Sequence, residues 1–131
     1  MGRIDWLNAL GWGEDQLQDL RVTAYAYIRQ GKYEIALPIF EALSILSPNN
    51  AYDSQTVGAL YLQLNQPTKA LKAFDNALKI EGDHSPTLMN VCKCFFMIGK
   101  KSEGLQLANI LKNDADTQIA NIARALILAY S

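Results

Sequence analysis

One spacing constrains this chain more than any other: residues of matching kind recur 34 positions apart. A fixed period of this length indicates a stack of one repeated structural unit, in which each unit buries its apolar face against its neighbour. The chain is therefore predicted to be a stacked array. The recurring pairs are Ala24 and Gly58, Tyr27 and Tyr61, Ala36 and Ala70, Leu37 and Leu71, and Phe40 and Phe74.

Within the first period, residues 17–50, the apolar residues follow a helix-turn-helix rhythm that breaks at Gly31. Asp15, with Gln18 three residues later, is expected to cap the first helix, and Pro48 is expected to end the second. Small, aromatic, small and aromatic residues in this order, at a period of 34, are the signature of tetratricopeptide repeats. The sequence therefore predicts pairs of antiparallel helices.

The second period, residues 51–84, copies this layout. Asn50 is a suitable helix cap, the turn between the helices falls at Asn65-Gln66, and Pro67 sits at a helix start, where proline costs least. The small Ala70 lies where the two helices must approach closely. This repeat is thus expected to superpose on the first.

The third repeat, residues 85–118, is degenerate, because Gly104 replaces the small alanine and Ala108 replaces the phenylalanine. Terminal repeats are often atypical in this way. Residues 1–14 are predicted to form an N-terminal helical segment, and residues 115–131 a capping helix whose apolar end meets either a partner or further chain. The predicted fold class is all-α, a single tetratricopeptide domain over residues 1–131.

The charge pattern argues against nucleic acid as a partner. The 131 residues carry 12 basic and 13 acidic side chains without a basic cluster, whereas binding phosphate needs several convergent cations. There is also no apolar run of the roughly 18 to 20 residues that spans a membrane, and no signal-like N-terminus. We therefore expect no membrane insertion and a cytoplasmic location.

Residues suited to catalysis or metal binding are scarce. His84, the single histidine, lies in a predicted loop without metal-ligand spacing to a cysteine. Cys92 and Cys94 are two apart on a predicted helix, where their side chains point to different faces, so buried thiols are expected. With no nucleotide-binding or hydrolase motif, the sequence predicts no catalytic residue, no metal and no cofactor.

A client-binding groove is predicted on the concave face, which the first helix of each repeat lines in such arrays. Most of its residues are apolar or aromatic, and an exposed apolar groove usually marks a binding site for an extended segment or short helix. The alternative is that Ile28, Leu62 and Phe96 simply belong to the core. The predicted groove residues are Arg21, Tyr25, Ile28, Tyr52, Gln55, Ala59, Leu62, Met89, Lys93, Phe96 and Met97.

The segment ahead of the repeats carries two tryptophans within twelve residues. Tryptophan is enriched at interfaces, so this segment is a candidate homodimer contact. The alternative is that the segment packs back on the first repeat. The candidate contact residues are Ile4, Trp6, Leu7 and Leu10.

The chain also resembles a particular family, the class II chaperones of bacterial type III secretion. The resemblance implies a non-enzymatic chaperone of the bacterial cytoplasm that keeps a secreted, hydrophobic translocator soluble in its groove and dimerises through its N-terminal region. A co-chaperone for a needle or early export component, or a general scaffold module, are the alternatives. The motif that carries the resemblance is Tyr25-x-Tyr27-x-x-x-Gly31-Lys32-Tyr33-Glu34-x-Ala36-x-x-x-Phe40-x-Ala42-Leu43.

A different use of tetratricopeptide domains is disfavoured. Domains that grip the acidic C-termini of heat-shock proteins clamp the terminal carboxylate with a set of lysine, arginine and asparagine residues. The corresponding places here hold Arg21, Tyr25, Thr56, Pro86 and Asn90. Only Arg21 suits that role, so recognition of this kind is not expected.

Overall fold

The computed structural model describes residues 6–131, with side chains from Asn8 onward, and in this part of the chain the regular structure is entirely helical. The helices follow one another as antiparallel pairs joined by short turns, which confirms the predicted all-α tetratricopeptide architecture. They are α1 Trp6–Leu10, α2 Glu14–Arg29, α3 Tyr33–Leu46, α4 Ala51–Gln63, α5 Pro67–Ile80, α6 Ser85–Met97, α7 Lys101–Leu111 and α8 Thr117–Tyr130.

The turn inside each helix pair repeats with the same 34-residue period. Gly31, Asn65 and Gly99 all have positive φ, at 74°, 58° and 82°. Each of these residues lies two positions before the next helix. The N–H of the residue that follows it donates to the carbonyl five residues earlier, as the Lys32 N–H does to the Tyr27 carbonyl at 2.9 Å. Only glycine or asparagine takes this left-handed conformation readily, which explains the residue choice at all three turns.

The two helices of a repeat meet through one small residue and one phenylalanine. Phe40 and Phe74 are fully buried, and so is Ala24 opposite Phe40. In the second repeat the approach is closer, since a Cβ built on Gly58 would lie 2.4 Å from Cε1 of Phe74. The 34-residue identities are therefore the contacts that fix the distance between paired helices.

The third repeat forms a ring-to-glycine contact at a different pair of positions. Its phenylalanine is Phe96 on the first helix, and the residue facing it is Gly104 on the second, where a Cβ would come within 2.8 Å of the ring. Phe96 corresponds in register to Leu62, and Gly104 to Ala70. Ala108, in the usual place of phenylalanine, is fully buried. The sequence identified this repeat as degenerate, and the structure shows that its aromatic ring lies on the other helix and at another position.

Helix starts were only partly predictable. Asn50 caps α4 as expected, with its side-chain oxygen accepting the Asp53 N–H at 3.2 Å. The expected cap at Asp15 with Gln18 is wrong, because α2 begins at Glu14, directly after Gly13. There the side chain of Gln16 reaches back and accepts the Gly13 N–H at 2.7 Å, which is only half of a capping box, because glycine has no side chain to accept a bond in return.

Hydrogen bonds to one carboxylate fix the loop between α7 and α8. Asp114, between α7 and α8, accepts the Ser85 hydroxyl at 2.6 Å and the Asp116 N–H at 2.9 Å. These donors, the Ser85 hydroxyl first, lower the pKa of Asp114. Asp116 in turn caps α8. The loop thereby ties the start of α6 to the start of the terminal helix.

No helix within residues 6–131 is long and apolar enough to cross a membrane.

Replacing Gly58 with alanine should destabilise the protein by about 1–3 kcal/mol, because the added methyl group forces Phe74 out of its site. Urea unfolding followed by circular dichroism measures the change. The matched control is Gly82→Ala, an exposed position where the nearest atom to a new Cβ lies at 3.4 Å. Equal stability of the two variants would contradict the close approach.

The lowered pKa of Asp114 predicts a pH dependence. Its carboxylate stabilises the folded protein fully above the unfolded pKa of about 4, and this contribution is lost as the pH falls through the folded pKa. The difference in unfolding free energy between the native protein and Asp114→Asn should therefore shrink between pH 7 and pH 3. Ser85→Ala, which removes the strongest donor, should weaken the same dependence.

Candidate functional site

The first helices of the three repeats, α2, α4 and α6, form the face that the sequence predicts to be functional, and α8 extends it. The helix α6 packs against both α4 and α8, and α2 is joined to α4 by side chains. We call the surface formed by α2, α4, α6 and α8 the inner face. In repeat arrays this side is concave and offers an extended surface for binding.

A buried ion pair joins α2 to α4. The guanidinium of Arg21 donates from Nε and Nη2 to the two carboxylate oxygens of Asp53, both at 2.8 Å, and Asp53 is completely buried. Its Nη1 donates to Glu14 at 3.0 Å and more weakly to Gln18 at 3.4 Å. Bidentate geometry of this kind is both strong and directional. These contacts, the Asp53 bond first, raise the pKa of Arg21.

A hollow of about 640 Å³ opens beside this ion pair, at the end of the inner face nearest the N-terminus. Tyr25 and Tyr52 stand at its wall, 44% and 47% exposed. The guanidinium carbon of Arg29 lies 5.1 Å from the Tyr25 ring centre, and the Tyr52 ring meets Phe40 edge-on at 6.2 Å. The lining residues are Glu14, Gln18, Arg21, Val22, Tyr25, Ala26, Arg29, Asn50 and Tyr52.

The structure thus brings three of the predicted groove residues together, Arg21, Tyr25 and Tyr52. These residues have different roles. The two tyrosines offer apolar surface, whereas Arg21 is buried and bound by Asp53. Arg21 therefore supports the wall of the hollow instead of presenting a free charge.

The remaining predicted residues lie along α2, α4 and α6 and differ in accessibility. Ile28, Leu62 and Phe96 are half-buried and pack against core residues, which agrees in part with the alternative that they belong to the core. Met97 is 48% exposed. The other predicted residues on these helices are also half-buried; they are Gln55, Ala59 and Lys93.

Met89 does not line the open surface. It is 3% exposed and belongs to the core formed with Cys92, Ala108 and Ile119. The register assigned Met89 to the concave face, but α8 packs over this part of α6 and covers it. The effect of the terminal helix could not be read from the repeat spacing.

Several residues of this face escaped the sequence analysis, among them Val22 and Ala26 in the hollow. Asp53 is another, although it follows Arg21 by 32 residues and a register argument could have paired them. So is Tyr130, whose ring stacks on Phe96 with centres 4.2 Å apart and planes inclined by 16°. Tyr130 lies beyond the third repeat, so no repeat position pointed to it.

The predicted dimer contact lies largely outside the described residues: Ile4 precedes them, and the side chains of Trp6 and Leu7 are not among them. Leu10 is 50% exposed. Trp12, by contrast, is half-buried against the core of the first repeat, as the alternative to dimerisation proposed for this segment. The dimer contact stays a prediction.

The cysteine and histidine side chains are buried or half-buried in the fold. Burial raises the pKa of the Cys92 and Cys94 thiols to about 11, so both are protonated at neutral pH. His84 lies just before α6, as the predicted loop position implies, and is half-buried, with Nδ1 2.7 Å from Oγ1 of Thr87. Among the described residues no three potential ligands form a metal cluster.

Comparisons by sequence match this chain only to small parts of longer proteins. No family model matches the chain. It is 29% identical over 75 residues to the mouse Superkiller complex protein 3 and 24% identical over 103 residues to the chicken DnaJ homolog subfamily C member 3. The chain spans 5% and 20% of the length of these two relatives.

Comparisons by structure define the class: the chain has a tetratricopeptide-type fold shared with peptide-binding proteins. The type III secretion chaperone SycD of Yersinia enterocolitica, with a peptide of the translocator YopD, matches with a TM-score of 0.81 at 20% identity, over 90% of this chain and 94% of SycD. PcrH of Pseudomonas aeruginosa, with the chaperone-binding region of PopD, matches at 0.78 and 23%, over 92% and 94%.

A third match has a different ligand. The first tetratricopeptide domain of Spaghetti (RPAP3), bound to the HSP90 peptide SRMEEVD, matches with a TM-score of 0.77 at 17% identity, over 89% of this chain and 94% of that domain. At these identities the likeness shows the fold alone. The fold of the translocator chaperones is therefore present here, but the ligand has to be argued from side chains.

Removing one member of the buried ion pair should lower the free energy of unfolding. Asp53→Ala leaves the Arg21 charge buried without its main partner and should destabilise the protein by about 3–5 kcal/mol in urea unfolding. Glu14→Ala removes only the exposed partner and should cost under about 1 kcal/mol. The double variant Arg21→Met with Asp53→Leu should recover much of the loss. A small effect of Asp53→Ala would contradict the proposed role.

Proposed function

We propose that this protein is a non-enzymatic chaperone of the bacterial cytoplasm that binds an extended apolar segment of a type III secretion translocator on its inner face. The observation that carries the proposal is the near full-length structural match, in both directions, to SycD and PcrH, which were solved with translocator segments. The aromatic hollow at Tyr25 and Tyr52 supports it, because it offers a wall for an apolar anchor.

The proposed mechanism is masking of apolar surface. Each Å² of apolar area that a client buries on the inner face contributes about 25 cal/mol, which competes with aggregation of the client or with its premature assembly. Tyr25, Tyr52 and Met97 are the most exposed of the predicted groove residues that offer apolar surface. A flexible methionine beside rigid tyrosines suits a face that accepts several related segments.

The main rival is recognition of an acidic C-terminus, as the match to the HSP90-binding domain suggests. That function needs free cations to hold the carboxylate. Arg21, the one cation at the positions that correspond to the clamp, donates to Asp53, Glu14 and Gln18. The side chains therefore favour an apolar client over a carboxylate terminus. A co-chaperone role for a needle or export component would use the same face.

The proposal predicts that co-expression with the hydrophobic translocators of its own secretion system makes those proteins soluble. The double variant Tyr25→Ser with Met97→Ser should lower the soluble yield several-fold, because it removes exposed apolar area from the inner face without opening the core. Soluble yield and co-purification measure the effect.

The matched control is Ile80→Ser with Ile110→Ser, two exposed apolar residues on α5 and α7, outside the inner face. The control should behave like the native chain. Translocators that stay insoluble with the native chain would contradict the proposed function. Translocators that are solubilised equally by both double variants would contradict the site.

A further inference from the structure

The exposed residues of α2 that line the hollow form one stripe. Each of them lies three or four positions from another member of the set, so they share one side of the helix over about four turns. We call this set the α2 stripe. Its members are Glu14, Gln18, Val22, Tyr25, Ala26 and Arg29.

The two ends of the α2 stripe carry opposite charges. The side chain of Glu14 is 74% exposed and shares Arg21 with the buried Asp53. One cation thus faces two carboxylates, which leaves a negative charge in excess at this end. At the other end, Arg29 lies over the Tyr25 ring, and among the described residues no carboxylate pairs with it. The hollow is therefore negative at one end and positive at the other.

The middle of the α2 stripe is apolar. Val22 is 62% exposed, and Ala26, one turn further along the helix, is exposed as well. Tyr25 on the same stripe and Tyr52 on α4 add two aromatic rings to the hollow. A segment that fills this hollow buries apolar area in the middle and meets a charge at either end.

The fold of a repeat does not require this pair of charges. Gln63 and Met97 hold the place of Arg29 in α4 and α6, one and two periods later. The dipole of a helix favours an acidic residue in the first turn and a basic one in the last. Yet α6, the first helix of the third repeat, forms with neither. Glu14 and Arg29 are therefore particular to the helix that lines the hollow.

We propose that the hollow selects a client segment that has a basic residue at one end, an acidic residue at the other and apolar side chains between them. This inference rests on the function proposed above and adds the chemistry of the segment. The client's basic residue pairs with Glu14 and its acidic residue with Arg29, which fixes the direction of the segment along α2. A single arginine can hold one side-chain carboxylate, whereas the clamp for a terminal carboxylate uses a set of cations.

The length of the α2 stripe sets the spacing of the client's charges. From Glu14 to Arg29 the helix rises about 22 Å, at about 1.5 Å per residue. The Glu14 carboxylate reaches back along α2 to Nη1 of Arg21 at 3.0 Å, which shortens the distance to Arg29. An extended segment advances about 3.3 Å per residue, so its basic and acidic residues should lie about five to seven positions apart.

Fluorescence anisotropy with three labelled peptides that share one apolar centre tests the inference. The first peptide carries a lysine and a glutamate about six positions apart, the second carries two lysines and the third two glutamates. The native chain should bind the first at least about threefold more tightly than the others, because each of those replaces one attraction by a repulsion.

Arg29→Glu makes both ends of the hollow negative and should therefore prefer the peptide with two lysines. The order of the three affinities is compared, since losing the Arg29 contact with Tyr25 affects all three peptides alike. The matched control is Lys72→Glu, which makes the same change of charge at an exposed position on α5. It should keep the native order.

Three results overturn the inference: equal binding of the three peptides by the native chain, no binding of any of them, or the native order in Arg29→Glu. The co-expression experiment described above separates these results from a failure of the proposed function. If the native chain still makes translocators soluble, only the charge selection is wrong. If the translocators stay insoluble as well, the proposed function is wrong.

Discussion

The close approach of two helices through one small residue and one aromatic ring is the contact on which this array depends. In the second repeat, Gly58 lies against the ring of Phe74 with no room for a methyl group. The ring is fully buried, and its burial holds α4 and α5 at a fixed distance. A ring packed against a small residue therefore sets how closely the paired helices approach in this repeat.

The third repeat shows that the contact matters more than the sequence that makes it. There the ring comes from the first helix, as Phe96, and the gap comes from the second, as Gly104. Phe96 lies at the edge of the inner face, where Tyr130 of the terminal helix stacks on it. The same rearrangement that looks like decay of the repeat therefore helps to seat α8, and α8 in turn buries Met89.

Two long-range polar contacts add to the apolar packing that joins the helices of the array. Arg21 and Asp53 join the first helices of two successive repeats, and Ser85 and Asp114 join the start of α6 to the loop before α8. The first pair also shapes the hollow between Tyr25 and Tyr52. Binding surface and stability are thus coupled at the N-terminal end of the inner face.

The sequence alone determined the repeat, because helices packed at one distance select residues of matching size at matching places, as the first two repeats show. It also predicted the turns at Gly31 and Asn65, since a left-handed residue is a local requirement. Only the tertiary structure decided which face residues stay open. Met89 and Tyr25 hold inner-face positions alike, yet α8 covers one and leaves the other exposed, because burial depends on which distant helix packs above a residue.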